Sequence, residues 1–225
     1  MTALPASEAY RRWAPSYERE NPVTALECEL VDRLSPSPHG LRLLDVGCGT
    51  GRRLLRTGAA LAVGLEPCSE MLRAGENTHA FGPEVRLIEG DARAMPLAGG
   101  SFDLLWCRLV IGHLAESNGA YREMARVAAP GAHVLVTDFH AAAFAAGMRR
   151  TFRDDGEVIE AVHFIHDAET QIAAARAAGL TLLDRAASCA GATVRHFFEA
   201  AGRLDVYERQ RDIPLVSALL FVRDG

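Results

Sequence analysis

From about residue 41 onward, short apolar runs alternate with stretches of helical periodicity. RLLDV at 42–46, LAVGLE at 61–66, VRLIEGD at 85–91, FDLLWC at 102–107 and HVLVTD at 133–138 are rich in Val, Leu or Ile and bounded by Gly, Pro or Asp, the pattern of buried strands. Between the last two, SNGAYREMARVAAPG places Ala120, Met124, Val127 and Ala128 on one helical face, and Pro130-Gly131 is expected to stop that helix. Two helical segments precede the first strand. The first, about 6–20, carries Tyr10, Trp13 and Tyr17; the second, about 23–35, lines up Leu26, Leu30, Val31 and Leu34. Strand–helix alternation implies an α/β architecture of parallel strands joined by right-handed crossovers, with helices on both faces. Such sheets bind ligands at the carboxyl ends of their strands, so the functional residues are expected just after each strand.

Past the fifth strand the rhythm changes. Residues 141–150 are alanine-rich and end in Arg149-Arg150, and TFRDDGEVIEAVHFIH then reads as a β-hairpin turning at Asp155-Gly156. Asp167 is placed to cap a helix that ends near Gly179, and TLLDRAAS at 181–188 and PLVSALLFV at 214–222 supply two last strands. No repeat, low-complexity linker or second domain is visible. The expected organisation is one domain over 1–225.

Composition sharpens this picture in two places. All 24 basic residues are arginine, against 29 acidic ones, giving a net charge of −5. A chain without lysine has no Schiff-base amine, no P-loop lysine and no kinase lysine, and a mildly acidic total argues against a general nucleic-acid or membrane binder. The five cysteines, Cys28, Cys48, Cys68, Cys107 and Cys189, are odd in number and widely spaced. They suit free thiols in a reducing cytoplasm better than a zinc site or a disulfide framework. The N-terminus has no apolar signal region and no run is long enough to span a bilayer, so a cytoplasmic protein is expected.

The sharpest motif is Leu44-Asp45-Val46-Gly47-Cys48-Gly49-Thr50-Gly51, at the end of the first strand and the expected start of a helix. Its alternate glycines let the backbone approach a ligand closely. Arg52 stands where a dinucleotide fingerprint would need its third glycine, so a pyrophosphate cradle is the weaker reading. Glu66 ends the second strand nineteen residues after Gly47, where a carboxylate can accept from both ribose hydroxyls. Asp91, ending the third, can accept from an exocyclic amine while the next backbone N–H donates to a ring nitrogen. Together these describe a site for a nucleoside carrying a small charged group.

LDVGCGTG, GLEPCSEML, EGDARAMPLAGGSFDLLWC and REMARVAAPGAHVLVTD, in that order, resemble the successive motifs of the class I S-adenosylmethionine-dependent methyltransferases. The likeness covers roughly residues 8–140 and is to the small-molecule branch that includes the quinone C-methyltransferases. It implies a Rossmann-like doubly wound sheet of seven strands, mostly parallel with one antiparallel strand, and S-adenosyl-L-methionine as cofactor. It places Asp45, Gly47, Cys48 and Gly49 around the methionine portion, Glu66 and Pro67 at the ribose, Asp91 and Ala92 at the adenine, and the Cys107 backbone near the methionine amino group. Tyr10 and Tyr17 match an aromatic N-terminal helix that closes over the cofactor, which makes about 6–35 a cofactor lid. Arg52 and Arg53 depart from the smaller or acidic residues of the usual pattern, and Gly131-Ala132 from its double glycine; neither departure removes a cofactor contact.

For Tyr10, Trp13 and Tyr17 the spacing also suits plain core packing. Cys48 and Cys107 read as packing residues, not nucleophiles. His140, two residues past Asp138, and His113, in Val110-Ile111-Gly112-His113-Leu114, are the candidate catalytic base or orienter; helix capping and structural packing are their alternatives. His163 and His166 are expected on opposite faces of the hairpin strand. A metal site from Asp138, His140 and His163 has no spacing that demands it, and none is expected. Arg149 and Arg150 either clamp an acidic acceptor or solvate a helix end. The segment 141–166 is expected to be the acceptor lid. The expected activity is methylation of a small molecule, most simply at oxygen. Its rivals are N- or C-methylation, a nicotinamide-dependent oxidoreductase, and a cofactor-binding module without methyl transfer. Oligomeric state and the identity of the acceptor are not legible.

Overall fold

The computed structural model describes residues 2–225. In chain order it contains β1 (Thr2–Leu4), α1 (Ala6–Trp13), α2 (Pro22–Leu34), β2 (Arg42–Val46), β3 (Leu61–Glu66), α3 (Ser69–Thr78) and β4 (Val85–Glu89). There follow β5 (Phe102–Arg108), α4 (Asn118–Val127), β6 (Ala128–Phe139), α5 (Ala141–Ala145), β7 (Thr151–Asp154) and β8 (Glu157–Ala161). The chain ends with α6 (Ala168–Ala177), β9 (Leu180–Cys189), α7 (Arg195–Ala200), α8 (Leu204–Gln210) and β10 (Pro214–Arg223).

Seven strands form the main sheet in the order β4-β3-β2-β5-β6-β10-β9. β2 pairs in parallel with β3 and β5, β3 with β4, and β5 with β6. β10 runs antiparallel to both β6 and β9, so it alone is reversed, as the resemblance implies. Progress along the sheet changes direction at β2, between β3 and β5, and the chain therefore diverges at the carboxyl ends of these strands. In open α/β sheets ligands bind at such a switch point.

Alternation along the central strands sorts the core into two layers. Leu44, Val46, Leu105 and Cys107 pack on one face with Tyr121 and Met124 of α4; Leu43, Leu104 and Trp106 pack on the other with Leu26, Leu30 and Val31 of α2. α2 starts on a capping box: the Asn21 side chain accepts from Thr24 N–H while Thr24 Oγ1 accepts from Asn21 N–H, and Pro22 takes the first helical position.

Five sequence expectations shift. The first helix ends at Trp13 and continues only as a short 3-10 turn over Ala14–Ser16, because Pro15 lacks a backbone N–H and crowds the preceding turn. α4 stops at Val127, before Pro130-Gly131. The strand that follows starts at Ala128, and a register irregularity opposite Phe102 and Leu104 accompanies Gly131 at φ 76°. β8 ends at Ala161, leaving His163 and His166 beyond the hairpin strand. The helix expected to start at the glycine loop is only a 3-10 turn over Arg52–Leu54. Two helices, α7 and α8, lie within 195–210, a stretch to which the sequence assigned no element. The hairpin turn itself is as expected, with Asp155 at φ 46° and Gly156 at φ 84°. A second sheet, β1-β8-β7, adds a parallel N-terminal strand to this hairpin, fastening the start of the chain beside the segment expected to be the acceptor lid. No helix among the described residues is long and apolar enough to cross a membrane.

Candidate active site

The glycine loop leaves β2 with Gly47, Gly49 and Gly51 at φ 71°, 61° and 74°, a left-handed conformation that side chains disfavour. Gly47 and Cys48 N–H donate to the Leu65 carbonyl at 2.7 and 3.0 Å, folding the loop across the end of β3. Behind the loop, a Cβ on Gly75 of α3 would overlap the Thr50 carbonyl oxygen. Gly75→Ala is therefore expected to cost about 1–3 kcal/mol by overpacking. A lower urea midpoint at unchanged m-value would show it, and an unchanged midpoint would mean the helix and loop are not in backbone contact.

Glu66, 8% exposed at the end of β3, accepts from Gly49 N–H through Oε2 and from Cys68 N–H through Oε1, both at 3.0 Å. Each oxygen keeps a lone pair for a further donor. Burial pushes its acid up to about 7, against the pull of the two N–H groups. Asp45, in β2, is fully buried, and burial raises it to about 6 although Arg53 and Arg108 pull the other way. Next to it lies an ionic network that no local motif announces. Glu27 of α2 accepts two 2.7 Å bonds from Arg108 at the end of β5 and one of 2.9 Å from Thr137 Oγ1, with Arg53 Nη2 at 3.4 Å. Burial alone would raise Glu27, but Arg53, Arg108 and Thr137 outweigh it and the acid is lowered.

Over the ends of β5 and β6 sits a second cluster. Arg150 Nη2 donates to Tyr10 Oη at 3.2 Å, and Tyr10 Oη lies 2.8 Å from His113 Nε2. His113 Nδ1 is 3.3 Å from the Val162 carbonyl, which can only accept; the proton is therefore on Nδ1, and Nε2 accepts from the Tyr10 hydroxyl. Burial, then Arg150 and His163, hold His113 well below its ordinary value, so the ring is neutral. Asp138 Oδ1 accepts from Phe139 N–H at 2.7 Å and lies 3.5 Å from His163 Nε2. Burial raises Asp138 to about 7 and depresses His163 to about 3, Arg150 adding to the latter. The His163 ring is pressed on Gly112, where a Cβ would overlap it.

Among the described residues, the buried side-chain polar atoms without a hydrogen-bond partner are both Asp45 oxygens, Arg53 Nε, Asp138 Oδ2, Arg150 Nη1 and both ring nitrogens of His163. All belong to these two clusters. A buried polar group left unpaired costs about 1–3 kcal/mol, so these are the atoms at which a further partner would contribute most.

The residues singled out in the sequence fall as follows. Asp45, Gly47, Cys48, Gly49, Glu66 and the exposed Pro67 surround the loop. The three aromatic residues at the N-terminus divide: Trp13 stacks on Phe152 at 4.7 Å, Tyr17 reaches the Gly49 backbone, and Tyr10 joins His113 and Arg150. Packing and capping over the site are thus one arrangement. Asp91 is engaged by Arg93, which donates from its backbone N–H, Nε and Nη2, and that pairing lowers the carboxyl; Ala92 beside it is buried. Cys107 lies within β5, which runs on to Arg108. Burial raises its thiol and that of Cys48, as packing residues would have it. His140 stands apart from the second cluster: its Nδ1 accepts from Ala142 N–H at 3.0 Å and caps α5. Arg149 stacks over Phe144 at 3.8 Å while Arg150 is buried. Glu27, Arg108 and Thr137 had no signal in the sequence, since their partners lie far apart along the chain; Asp138 and His163 were grouped there only with His140 as a conceivable metal site, and His140 instead caps α5.

Residues 44–136 match the sequence model of the family described as a methyltransferase domain. Malonyl-[acyl-carrier protein] O-methyltransferase of Enterobacter lignolyticus is 28% identical over 131 residues, 57% of this chain and 51% of that protein. Demethylmenaquinone methyltransferase of Thermus thermophilus is 36% identical over 138 residues, 56% of this chain and 62% of that protein. The chain spans about half the length of several curated relatives that it matches. A crystal structure of an S-adenosylmethionine-dependent methyltransferase from Mesorhizobium loti superposes with a TM-score of 0.70 at 18% identity, covering 90% of this chain and 100% of that one.

Proposed function

We propose that this chain is a class I S-adenosylmethionine-dependent methyltransferase, which takes S-adenosyl-L-methionine as cofactor and methylates an oxygen atom of a small-molecule acceptor. The observation that carries this is the two-part cluster of orphaned polar atoms at the carboxyl edge of the sheet. One part suits the cofactor and the other an acceptor.

The buried groups fit a zwitterionic nucleoside. Asp45 offers two unpartnered acceptor oxygens for an ammonium, Arg53 Nε an unpartnered donor for a carboxylate, and Glu66 two remaining lone pairs for ribose hydroxyls. Asp91 and Ala92 are assigned to the adenine, which requires Arg93, more than half exposed, to swing off the Asp91 carboxylate. Pro67 and the backbone of Gly47, Cys48, Gly49 and Cys107 complete the wall. When bound, the cofactor supplies an activated methyl group, so the protein's task is to hold a nucleophilic oxygen close and exclude water.

Tyr10 and Tyr17 lie over this edge; of the expected lid over 6–35, α2 packs into the core through Leu26, Leu30 and Val31, so α1 with the turn to Tyr17 serves as the cofactor lid. The hairpin and its flanks, 141–166, serve as the acceptor lid; Arg12 of α1 binds Asp154 of the hairpin at 2.7 Å, so the two lids move together. His113 orients Tyr10, its own lone pair being spent on that hydroxyl. His140 holds the entry to the acceptor lid through its cap on α5. Five unpaired thiols suit a cytoplasmic location. Arg12→Ala is expected to loosen the paired lids, raising the KM for the cofactor several-fold with a smaller change in kcat. Equal falls in kcat and kcat/KM would instead place Arg12 in a transition-state role. The test of the reading itself is turnover: incubation with S-adenosylmethionine and a panel of phenols, acids and amines should yield S-adenosylhomocysteine with an oxygen acceptor. Binding without turnover across the panel would favour a non-transferring module.

A further inference from the structure

We propose that Asp138, His163 and Arg150 form an acceptor subsite for an acidic hydroxyl, a phenol or enol, in which Asp138 takes the proton and Arg150 holds the resulting oxyanion. This rests on the methyltransferase reading above and narrows its acceptor.

Three residues from three parts of the chain bring unpaired valences to one buried place. Asp138 Oδ2 from the end of β6 has no donor, Arg150 Nη1 from the start of the hairpin has no acceptor, and both His163 ring nitrogens, beyond the hairpin, are unpaired. Their exposures are 2%, 9% and 8%. Of their other polar atoms, Asp138 Oδ1 accepts from Phe139 N–H, with the Gly112 N–H also stabilising the carboxylate, and Arg150 Nη2 donates to Tyr10. His163 keeps its place because Gly112 has no side chain, and the rings of His113 and Phe139 stand edge-on to it at 5.4 and 5.8 Å. Asp138 and His163 are neighbours, with Oδ1 and Nε2 3.5 Å apart, and the Arg150 charge acts on both, so one small oxygen-bearing group placed among them would answer the unpaired atoms.

Charge decides which group. Above about pH 7, where Asp138 is ionised, a carboxylate acceptor would suit Arg150 but would set a second anion against the unpaired Asp138 oxygen. An ammonium would suit Asp138 and be repelled by Arg150. A neutral hydroxyl satisfies both, donating to Asp138 Oδ2 and accepting from Arg150 Nη1. The step conserves charge: the O–H bond breaks, the proton joins Asp138 Oδ2, and the electron pair stays on the acceptor oxygen beside the guanidinium. Burial holds the Asp138 acid near 7, matched to a phenol or enol and far too weak a base for an aliphatic alcohol. His163, held neutral, offers a further hydrogen bond to the same oxygen. His113 and His140 have no free lone pair for this proton, since Tyr10 and Ala142 N–H occupy them.

The experiment uses the full chain saturated with S-adenosylhomocysteine, titrated at pH 8, where Asp138 is ionised, with 4-nitrophenol, 4-nitroanisole and 4-nitrobenzoate. The expected result is that 4-nitrophenol, largely phenolate at that pH, binds at least tenfold tighter than the other two and that its binding takes up a proton from the buffer, the proton Asp138 carries beside the bound oxyanion. Asp138→Asn should abolish the proton uptake, and Arg150→Gln should weaken binding at least tenfold, with S-adenosylhomocysteine affinity changed less than threefold in both. Should either variant fail to fold, the three-probe comparison on the unaltered chain decides alone. Tightest binding of 4-nitrobenzoate, equal binding of nitrophenol and nitroanisole, or no binding of any probe would overturn the subsite while leaving the cofactor reading intact. Failure to bind S-adenosylhomocysteine would overturn both.

Discussion

Replacing Glu27 by alanine is expected to cost the fold about 3–5 kcal/mol, the range for breaking a buried ion pair by removing one partner. Glu27 is fully buried, and its carboxylate answers Arg108 through two 2.7 Å bonds, Thr137 through one, and Arg53 at 3.4 Å. Without it two buried guanidinium groups lose their counter-charge, and Arg53 already has one nitrogen unpaired. The loss should appear as a lower urea midpoint, with Glu27→Gln intermediate because it keeps the volume and one acceptor. Replacing Glu27 and Arg108 together by methionine should recover part of the loss, since both desolvation costs are then removed. A loss below about 1 kcal/mol for Glu27→Ala, the range of an exposed pair, would mean that water reaches the network.

Glu66→Ala should lower S-adenosylhomocysteine affinity by tenfold or more, consistent with about 1.5–3 kcal/mol for a hydrogen bond to a charged group. The change removes the ribose acceptor and also frees Gly49 and Cys68 N–H, which fix the glycine loop and the start of α3. The pH dependence gives a second handle. Burial raises the Glu66 acid from its ordinary value to about 7, so on acidification the carboxylate is protonated and is a poorer acceptor. Affinity should therefore rise as pH increases through about 7, and Glu66→Gln should flatten that rise. A calorimetric titration of the three proteins at pH 6 and 8 measures both effects. An unaltered slope in Glu66→Gln would assign the titration to another acid, with Asp45, raised to about 6, the next to replace.

The sequence revealed what local pattern encodes. The strands around Asp45, Glu66, Asp91 and Cys107 are legible because each is a short apolar run closed by a turn residue, and the glycine loop because its spacing is local. The Asp155-Gly156 turn and the Asp167 cap are legible for the same reason; Asp167 Oδ1 accepts from Thr170 N–H as a cap should. What escaped depends on contacts between distant residues. β1 has three residues, too few for periodicity, and exists because β8 offers an edge. Glu27 meets Arg108 only because α2 lies across β5. Arg53 looked like a departure from a motif, yet its guanidinium is part of the buried network. His163 was placed on a strand, and its burial against Asp138 depends on the chain crossing Gly112 after the hairpin ends. Its backbone neighbour Phe164 donates to the Gly112 carbonyl at 2.7 Å. The helix stop at Pro130 was misplaced because the bulge in β6 absorbs Pro130-Gly131, a tertiary accommodation that propensity does not report.

The most direct measurement is the thermal stability of the purified chain with S-adenosylmethionine, S-adenosylhomocysteine and NAD, beside the Glu66→Ala variant. A ligand held at a hundred times its dissociation constant adds about 2.7 kcal/mol to the folded state. The site described above predicts a clear upward shift with both adenosyl compounds, none with NAD, and a reduced shift in the variant. No shift with either adenosyl compound, in protein free of carried-over cofactor, or a shift with NAD alone, would contradict it.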